Sequence, residues 1–338
     1  MIYLKKEKFK RITKRLTAFA AAVAMAATIT FLTEIRGGYF GGFGNAIVAS
    51  AADYTVGGYT ITTDDPTCYT IDDNEGYIVL NSNANVTISG SDTVYTIRVP
   101  ENATNVNLVL KDCSVLKDTQ SWRNAIELLA GSSAKITLEG VNNIQAGREC
   151  SAIRVTAGSS LEIYGPGTLN ASIQNGSSAA YSAVIGSQYT QSCGNISIYG
   201  GTINANSVSG LAAAIGTAKW NGTEGASNGT ITLNGGTINA NRIGGISTSE
   251  NFNVVGNGGA IVNSSVINAD TSGFNGIVFN GNTGTVYGNA TVTEDIEIPA
   301  GHTMTIPNGA ALTVGTGVTL TNNGTVTNNG TVTNNGTV

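Results

Sequence analysis

The stretch KITLEG at residues 135–140 decides the fold, because close variants of it recur along the chain. They are LEIYG at 161–165, NISIYG at 195–200 and TITLNG at 230–235. An apolar opening that begins with alanine precedes each copy, at Ala125, Ala152, Ala183 and Ala213. A second short run follows each copy and reads TINA at 202–205 and 237–240. One unit of roughly 25–35 residues cannot bury its apolar face alone, so this period indicates stacked units, as in a solenoid or a propeller.

The length of the repeat favours one kind of stack. The opening alanines are 27, 31 and 30 residues apart, and each unit contains three short strand-like runs separated by turns. The absence of an amphipathic helical period argues against leucine-rich and ankyrin-like solenoids, and a propeller blade needs about 40 residues and four strands. The sequence therefore predicts an all-β fold, a right-handed parallel β-helix with one coil per repeat.

Alternation along each run predicts which side chains face the core, because successive residues of a strand point to opposite sides. A first stack contains Ile136, Leu138, Leu161, Ile163, Ile196, Ile198, Ile231 and Leu233. A second stack contains Leu169, Ile203, Ile238 and Ile267. The asparagines that follow the second stack, Asn170, Asn204, Asn239 and Asn268, are expected at a turn, where their amides would form a hydrogen-bonded ladder.

Residues 1–51 have the pattern of a secretory signal peptide. Seven Lys/Arg precede the apolar run 16–32, and Ala49-Ser50-Ala51 forms an A-x-A cleavage site. An uncleaved membrane anchor is the alternative. Cleavage removes eight of the 17 basic residues and two of the 22 acidic residues. The mature chain then has a net charge of 9 − 20 = −11. A secreted or cell-surface protein with this acidic balance is not expected to bind nucleic acid, and membrane contact is expected only through the leader before cleavage.

The remaining chain divides by pattern into an irregular N-terminal cap at 52–104, the parallel β-helix at 105–290 and short C-terminal β repeats at 291–338. The last 18 residues are three copies of TNNGTV, and each copy suits one strand and a tight Asn-Gly turn. A left-handed hexapeptide helix is the alternative. Because the chain stops inside this repeat, we expect further segments after it. The four cysteines form no C-x-x-C pair, so a zinc site is not expected. Export permits disulfides, but each cysteine falls in a different unit, and we expect free thiols.

Several motifs carry a resemblance to a known group of proteins. They are AVIG at 183–186, AAIG at 213–216, GGTINA at 200–205 and 235–240, and IPAGHTMTIP at 298–307. Over about residues 85–338 the chain resembles exported surface proteins of Gram-positive, mostly anaerobic bacteria that have a pectin-lyase-like parallel β-helix and are often labelled carbohydrate-binding. These motifs belong to turns, so the resemblance implies a fold and says little about an activity.

The acidic residues do not form the pattern of a catalytic site. Polygalacturonase-like sites use clustered aspartates with a histidine, whereas the pairs Asp64-Asp65 and Asp72-Asp73 precede the repeats and His302 is the only histidine. Residues 151–250 contain only Glu162, Glu224 and Glu250 as acids, too few for a calcium-binding carboxylate cluster. No catalytic residue, metal site or cofactor is predicted, and an enzyme is disfavoured.

Four aromatic residues suggest a sugar-binding surface instead. Trp122 and Tyr181 precede the opening alanines of their coils, and Tyr189 and Trp220 lie in two expanded loops at 187–194 and 217–229. Flat rings suit the apolar faces of pyranose sugars, so the expected partner is a polysaccharide or a cell-surface glycan. The alternative is that these rings only pack their loops down.

Three functions are therefore open: a glycan-binding or adhesive surface protein, a polysaccharide lyase or glycoside hydrolase, and a passive stalk or spacer. Carboxylates clustered with Arg154 or Arg242 in a groove would favour the enzyme. Exposed Trp and Tyr without such a cluster would favour binding. Arg123 and Arg148 could bind acidic sugars or could simply be solvated.

Overall fold

The computed structural model describes residues 51–118, 120–174, 181–189, 191–220, 223–224, 229–246 and 253–338. These residues belong to one compact unit, Ser50–Val338. Every regular element in this part of the chain is a β-strand, and most strand pairs are parallel, which confirms the all-β, parallel β-helical fold. The predicted leader lies outside the described residues except for Ala51, and the predicted domain boundaries stay predictions.

The chain begins with a mixed region that differs from the coils after it. Its strands are β1 Ala52–Val56, β2 Tyr59–Thr63, β3 Tyr69–Asp72, β4 Tyr77–Leu80, β5 Asn85–Asp92 and β6 Thr96–Val99. Antiparallel pairs join β1 to β2, β2 to β5 and β3 to β4, whereas β4 pairs in parallel with β6. Antiparallel pairing thus gives way to parallel stacking within this region.

The coils that follow are built from three short strands each. The strands are β7 Val106–Leu116, β8 Ile126–Leu128, β9 Ser133–Glu139, β10 Val141–Ala146, β11 Ile153–Val155, β12 Ser160–Tyr164, β13 Thr168–Ile173, β14 Ile185–Gly186, β15 Asn195–Ile198, β16 Thr202–Ala205, β17 Ile215–Gly216, β18 Lys219–Trp220, β19 Thr223–Glu224, β20 Thr230–Leu233, β21 Thr237–Ala240, β22 Arg242–Gly244, β23 Asn253–Val255, β24 Ile261–Asn263 and β25 Val266–Asn268. The short pair β18–β19 is an antiparallel hairpin within an expanded loop.

Equivalent strands of successive coils stack into three faces. Face 1 contains β9, β12, β15, β20 and β23. Face 2 contains β10, β13, β16, β21 and β24. Face 3 contains β6, β8, β11, β14, β17, β22 and β25. The long strand β7 pairs with both β9 and β10 and so joins faces 1 and 2.

The predicted core residues are buried except Ile267, which is half-buried and lies in a different register. On face 2, Leu169, Ile203 and Ile238 align as expected, and Val262 rather than Ile267 is the next residue. Ile267 instead lies beside Ile243 on face 3. The cause is a shortened coil, because β24 already covers face 2 before the chain reaches the VINA sequence at 266–269. On face 1, Ile163 aligns with Ile136, and Leu161 aligns with Ala134.

The asparagine ladder exists, and it lies on a strand surface rather than at a turn. Successive amides donate Nδ2 to Oδ1 from Asn170 to Asn143, Asn204 to Asn170, Asn239 to Asn204 and Asn263 to Asn239, over 3.0, 2.8, 2.7 and 2.6 Å. Each residue occupies the outer side of face 2, with none in the left-handed region of φ. Asn268 is not a member, since its amide donates to the carbonyls of Gly245 and Ile246.

The AVIG and AAIG motifs satisfy a steric requirement of face 3. Gly186, Gly216 and Gly244 stack on successive coils with φ of 143°, 136° and 97°. A Cβ on each would lie 2.0, 2.1 and 2.3 Å from the carbonyl oxygen of the next coil. Only glycine fits such a contact, so these motifs report on the fold and not on an activity.

The four cysteines are free and buried, which confirms the expectation of free thiols. Burial raises the pKa of Cys113 to about 12 and that of Cys193 to about 12. The pKa of Cys150 is raised to about 11, again mainly by burial. At neutral pH Cys113, Cys150 and Cys193 are therefore protonated apolar fillers of the core.

The chain reverses direction after the last of these coils. The remaining strands are β26 Gly276–Asn280, β27 Thr283–Tyr287, β28 Asn289–Val292, β29 Ile296–Ile298, β30 Thr303–Ile306, β31 Ala311–Val314, β32 Leu320–Asn322, β33 Thr325–Asn328 and β34 Thr331–Asn334. Strand β26 pairs in parallel with β24 and in antiparallel with β27, and β30 and then β33 continue the sheet in parallel with β27.

The reversal moves the core to the other side of the sheet. Val278 aligns with the buried Val262 and packs against the first core. Its neighbours Ile277 and Phe279 point to the opposite side and begin a second core. That second core contains Val286, Ala290, Val292, Ile296, Ile298, Met304, Ile306, Ala310, Leu312, Val314, Val318 and Leu320.

The TNNGTV repeats form one coil of the second part. Strands β32, β33 and β34 pair in parallel with β29, β30 and β31, so each hexapeptide supplies one side of the coil. In each copy the first asparagine accepts a hydrogen bond from the glycine N–H two residues on, as at Asn328 and Gly330 over 3.0 Å. One strand and one Asn-Gly turn per hexapeptide agrees with the sequence prediction.

Candidate functional site

The four aromatic residues predicted to bind sugar lie in the segments next to the strands of face 3. Trp122 precedes β8, and Tyr181 precedes β14. Tyr189 follows β14, where the chain turns back so that Ser182 and Gln188 pair in antiparallel and Tyr189 lies beside Tyr181. Trp220 follows β17 and belongs to the hairpin strand β18. Trp122 is 58% exposed, and Tyr181 and Tyr189 are half-buried. The side chain of Trp220 lies outside the described residues.

Three of these aromatic residues, Trp122, Tyr181 and Tyr189, are connected through Arg148 and Glu149. We call these five residues the aromatic edge. The Arg148 guanidinium lies 5.2 Å from the ring centre of Trp122 and pairs with Glu149 over 3.2 Å. The Tyr189 hydroxyl donates to the other Glu149 oxygen over 3.1 Å. The Tyr189 N–H donates to the Tyr181 carbonyl over 2.7 Å. Glu149 was not identified from the sequence.

The backbone at the aromatic edge is strained at two positions that touch each other. Glu149 and Tyr189 have φ of 56° and 50°, the left-handed region that costs a non-glycine residue roughly 1–2 kcal/mol. Strain of this kind persists only where the surroundings hold it, and it concentrates at binding sites. Burial, the hydrogen bond to Glu149 and its charge raise the pKa of Tyr189 to about 12. The Tyr189 hydroxyl is therefore a fixed donor at neutral pH.

A column of alternating charges, the charged ladder, crosses face 3 beside the aromatic edge. It consists of Arg98, Glu127 and Arg154, which align on β6, β8 and β11. The Arg98 Nε pairs with Glu127 Oε1, and Arg154 Nη1 lies 3.9 Å from Glu127 Oε2. Arg98 also lies 3.4 Å above the ring centre of Tyr77. Glu127 is only 4% exposed, so its charge is compensated by the two arginines rather than by water.

Asn124 connects the charged ladder to the segments next to β11 and β14. Its amide donates to Glu127 Oε2 over 2.9 Å, and its oxygen accepts from Gln188 Nε2 over 2.7 Å and from the Ser151 N–H over 2.9 Å. Gln188 directly precedes Tyr189, so this contact ties the loop after β14 to the segment before β8. Segments of three successive coils are thus joined, although 64 residues separate Asn124 from Gln188.

The chemistry open to Glu127 is limited by its surroundings. The carboxylate contacts Arg98, Asn124 and Arg154, and it is buried. A general base must reach the proton that it removes, and this carboxylate is already engaged. The sequence analysis named carboxylates clustered with Arg154 in a groove as the sign of an enzyme, whereas a single buried carboxylate lies beside Arg154 and holds Arg98 and Asn124 as well.

Positive charge is nevertheless concentrated at this edge. All five arginines in residues 52–338 lie in face 3 or next to it. Arg242 is on β22, and the other four are near Trp122 or in the charged ladder: Arg98, Arg123, Arg148 and Arg154. Arg123 lies 5.1 Å from the Tyr77 ring centre. Arg154 donates to Gln191 over 2.9 Å, while its Nε is buried without an acceptor in the described structure. In an acidic chain this is the surface suited to a carboxylate or to the hydroxyl groups of a sugar.

One member of each aspartate pair considered as a catalytic candidate fixes a turn. Asp65 accepts from the N–H and the hydroxyl of Thr67, and Asp72 accepts from the N–H groups of Asn74 and Glu75. His302 is half-buried in the second part of the chain, and Arg242 donates to the Gly210 carbonyl over 2.9 Å. Among the described residues, no group of three or more His, Cys, Asp or Glu could hold a metal ion.

A second aromatic feature escaped the sequence analysis. Tyr164 and Tyr199 stack on the outside of face 1, with ring centres 4.4 Å apart and planes within 6° of parallel. The signal was present, because LEIYG and NISIYG place a tyrosine at the same position of successive repeats.

Comparisons of the chain with protein-family models, with curated proteins and with solved structures find no match. Within the part of the chain that the structure describes, there is no helix long and apolar enough to span a bilayer. The fold and the site therefore define a class only: a parallel β-helix with an aromatic, arginine-rich border on one face.

Proposed function

We propose that the protein is an exported, non-catalytic bacterial surface protein that binds a glycan through the aromatic edge. One observation carries the proposal: an exposed Trp122 is backed by Arg148 and connected through Glu149 to Tyr189. The basic and apolar leader supports export, and the resemblance to exported β-helical surface proteins supports the location at a cell surface.

The aromatic edge offers the two kinds of contact that a sugar needs. The flat ring of Trp122 can pack against the C–H face of a pyranose, and Arg148 beside it can donate to hydroxyl or carboxylate oxygens. The ion pair with Glu149 and the hydrogen bond from Tyr189 fix the position of this arginine before a ligand arrives. Preorganisation of this kind lowers the entropic cost of binding.

A glycan array with a polysaccharide pulldown tests the proposal on the purified protein and on Trp122→Ala. We expect the unmodified protein to bind a subset of glycans and Trp122→Ala to lose at least about fivefold in affinity, as for a central aromatic contact. Tyr287→Ala is the matched control, because Tyr287 is an exposed aromatic residue of the second part of the chain. Full binding by Trp122→Ala would contradict the assignment.

A polysaccharide lyase or a glycoside hydrolase is the second candidate. The contact of Glu127 with Arg154 on the same face favours it, although the carboxylate is buried. New reducing ends or unsaturated sugars released from a bound polysaccharide would decide for an enzyme. Failure of every glycan to bind would instead favour the passive stalk or spacer.

A further inference from the structure

The outside of face 1 has an aromatic column that the function of face 3 does not use. The ammonium of Lys135 on β9 lies 4.4 Å from the ring centre of Tyr164 on β12, and Tyr164 stacks on Tyr199 of the next coil. Tyr199 is 40% exposed. The column therefore leaves part of one ring open to a ligand.

A shallow polar groove adjoins this column. Asn105, Asn107, Ser133, Lys135, Ser160 and Glu162 line it. These side chains come from three successive coils and are exposed or half-buried. Amide, hydroxyl, ammonium and carboxylate groups are all present, so the groove can both donate and accept hydrogen bonds along its length.

Glu162 joins the groove to the tyrosines. Its Oε2 accepts from the Tyr164 hydroxyl over 3.1 Å, which fixes the carboxylate at the boundary of the groove. Lys135 aligns with Glu162 in the sheet, but among the described residues its ammonium lies over Tyr164 and makes no ion pair. The Lys135 ammonium and the Glu162 carboxylate thus both line the groove without forming an ion pair with each other. Their opposite charges sum to zero, so the groove has no net charge.

We propose that this groove and the ring of Tyr199 form a second saccharide site, which takes a neutral oligosaccharide. A hydroxyl-rich ligand both donates and accepts hydrogen bonds, and the groove offers both partners beside an aromatic ring. The arginine-rich border of face 3 carries positive charge instead, so the two sites differ in the ligand that they favour. The proposal shares only the ligand class with the proposed function, since it uses a different face and different residues.

Calorimetric titration of the purified protein with cellohexaose and with chitohexaose tests the second site. We expect at least one of these neutral probes to bind. Tyr199→Ala and Glu162→Gln should each weaken that binding by at least about fivefold. Tyr287→Ala removes a tyrosine of the same 40% exposure elsewhere on the molecule and should bind like the unmodified protein. Thermal melting of each variant verifies that it is folded.

Trp122→Ala separates the two sites in the same titration. Retention of binding by Trp122→Ala with loss in Tyr199→Ala supports the groove. Loss in Trp122→Ala with full binding by Tyr199→Ala overturns the groove and supports the aromatic edge. If neither probe binds the unmodified protein, the groove proposal is also overturned, while glycan-array binding lost in Trp122→Ala would still support the aromatic edge.

Discussion

A single methyl group at Gly216 tests the steric explanation of the AAIG motif. The Cβ of Gly216→Ala would lie 2.1 Å from the Gly244 carbonyl oxygen, and φ of 136° is unfavourable for any L side chain. Both effects act on the folded state, so we expect the free energy of unfolding to fall by about 2 kcal/mol or more. Chemical denaturation followed by circular dichroism measures the change.

Gly210→Ala is the control for this substitution. Gly210 lies in the segment before β17, and a Cβ there would meet no atom within 4 Å. Its effect on stability should stay within about 0.5 kcal/mol. Equal losses at Gly216 and Gly210 would show that the column of glycines has no special role.

At the scale of single residues, the sequence predicts which side chains face the core better than it predicts which side chains contact each other at the aromatic edge. Alternation was enough to place Ile203 and Ile238 inside, because burial follows from the local period. Glu149 was missed because its partner Tyr189 is 40 residues away, and the contact depends on left-handed backbone at both positions. No local pattern encodes such a meeting of two loops.

At the scale of elements, the asparagine ladder of face 2 is expected to contribute to stability rung by rung. Asn204 donates to Asn170 and accepts from Asn239, over 2.8 and 2.7 Å. Asn204→Ala therefore breaks two bonds and leaves the half-buried amide of Asn239 without its acceptor, which should cost about 1–3 kcal/mol. Asn263→Ala, at the end of the ladder, removes only its bond to Asn239 and should cost less.

Urea denaturation of the two asparagine variants side by side makes the comparison. An equal and negligible cost for both would mean that water replaces the ladder without loss. A larger cost at Asn263 than at Asn204 would contradict the account, because the terminal rung has one partner fewer.

Similar motifs led to a wrong prediction of strand position where the coil length changes. VINA at 266–269 resembles TINA at 237–240, yet it lies on face 3 because the coil between Ile238 and Val262 is shorter than the coils before it. The sequence does mark the chain reversal at β26, but the pattern there is a continuous apolar run, from which alternation cannot predict which side chain faces which core. Ile277, Val278 and Phe279 are apolar in succession, as expected of a strand buried on both sides.

At the scale of the whole molecule, the chain has two hydrophobic cores on opposite sides of one sheet. Strand β26 separates them, since Val278 packs against the first core and Phe279 belongs to the second. Stacked coils contact mainly their neighbours, so the stability of such a protein is close to a sum of local contributions. The two cores should therefore open separately rather than in one step.

Leu312→Ala and Leu169→Ala test this separation, since each removes a fully buried leucine from one core. Each truncation should cost about 2–5 kcal/mol locally. In hydrogen exchange followed by mass spectrometry, we expect Leu312→Ala to accelerate exchange in β27–β34 while β9–β16 keep their protection. Leu169→Ala should give the reverse pattern, because the cost is confined to the core that loses the side chain. Equal acceleration in both regions by either variant would show instead that β26 couples the two cores into one cooperative unit.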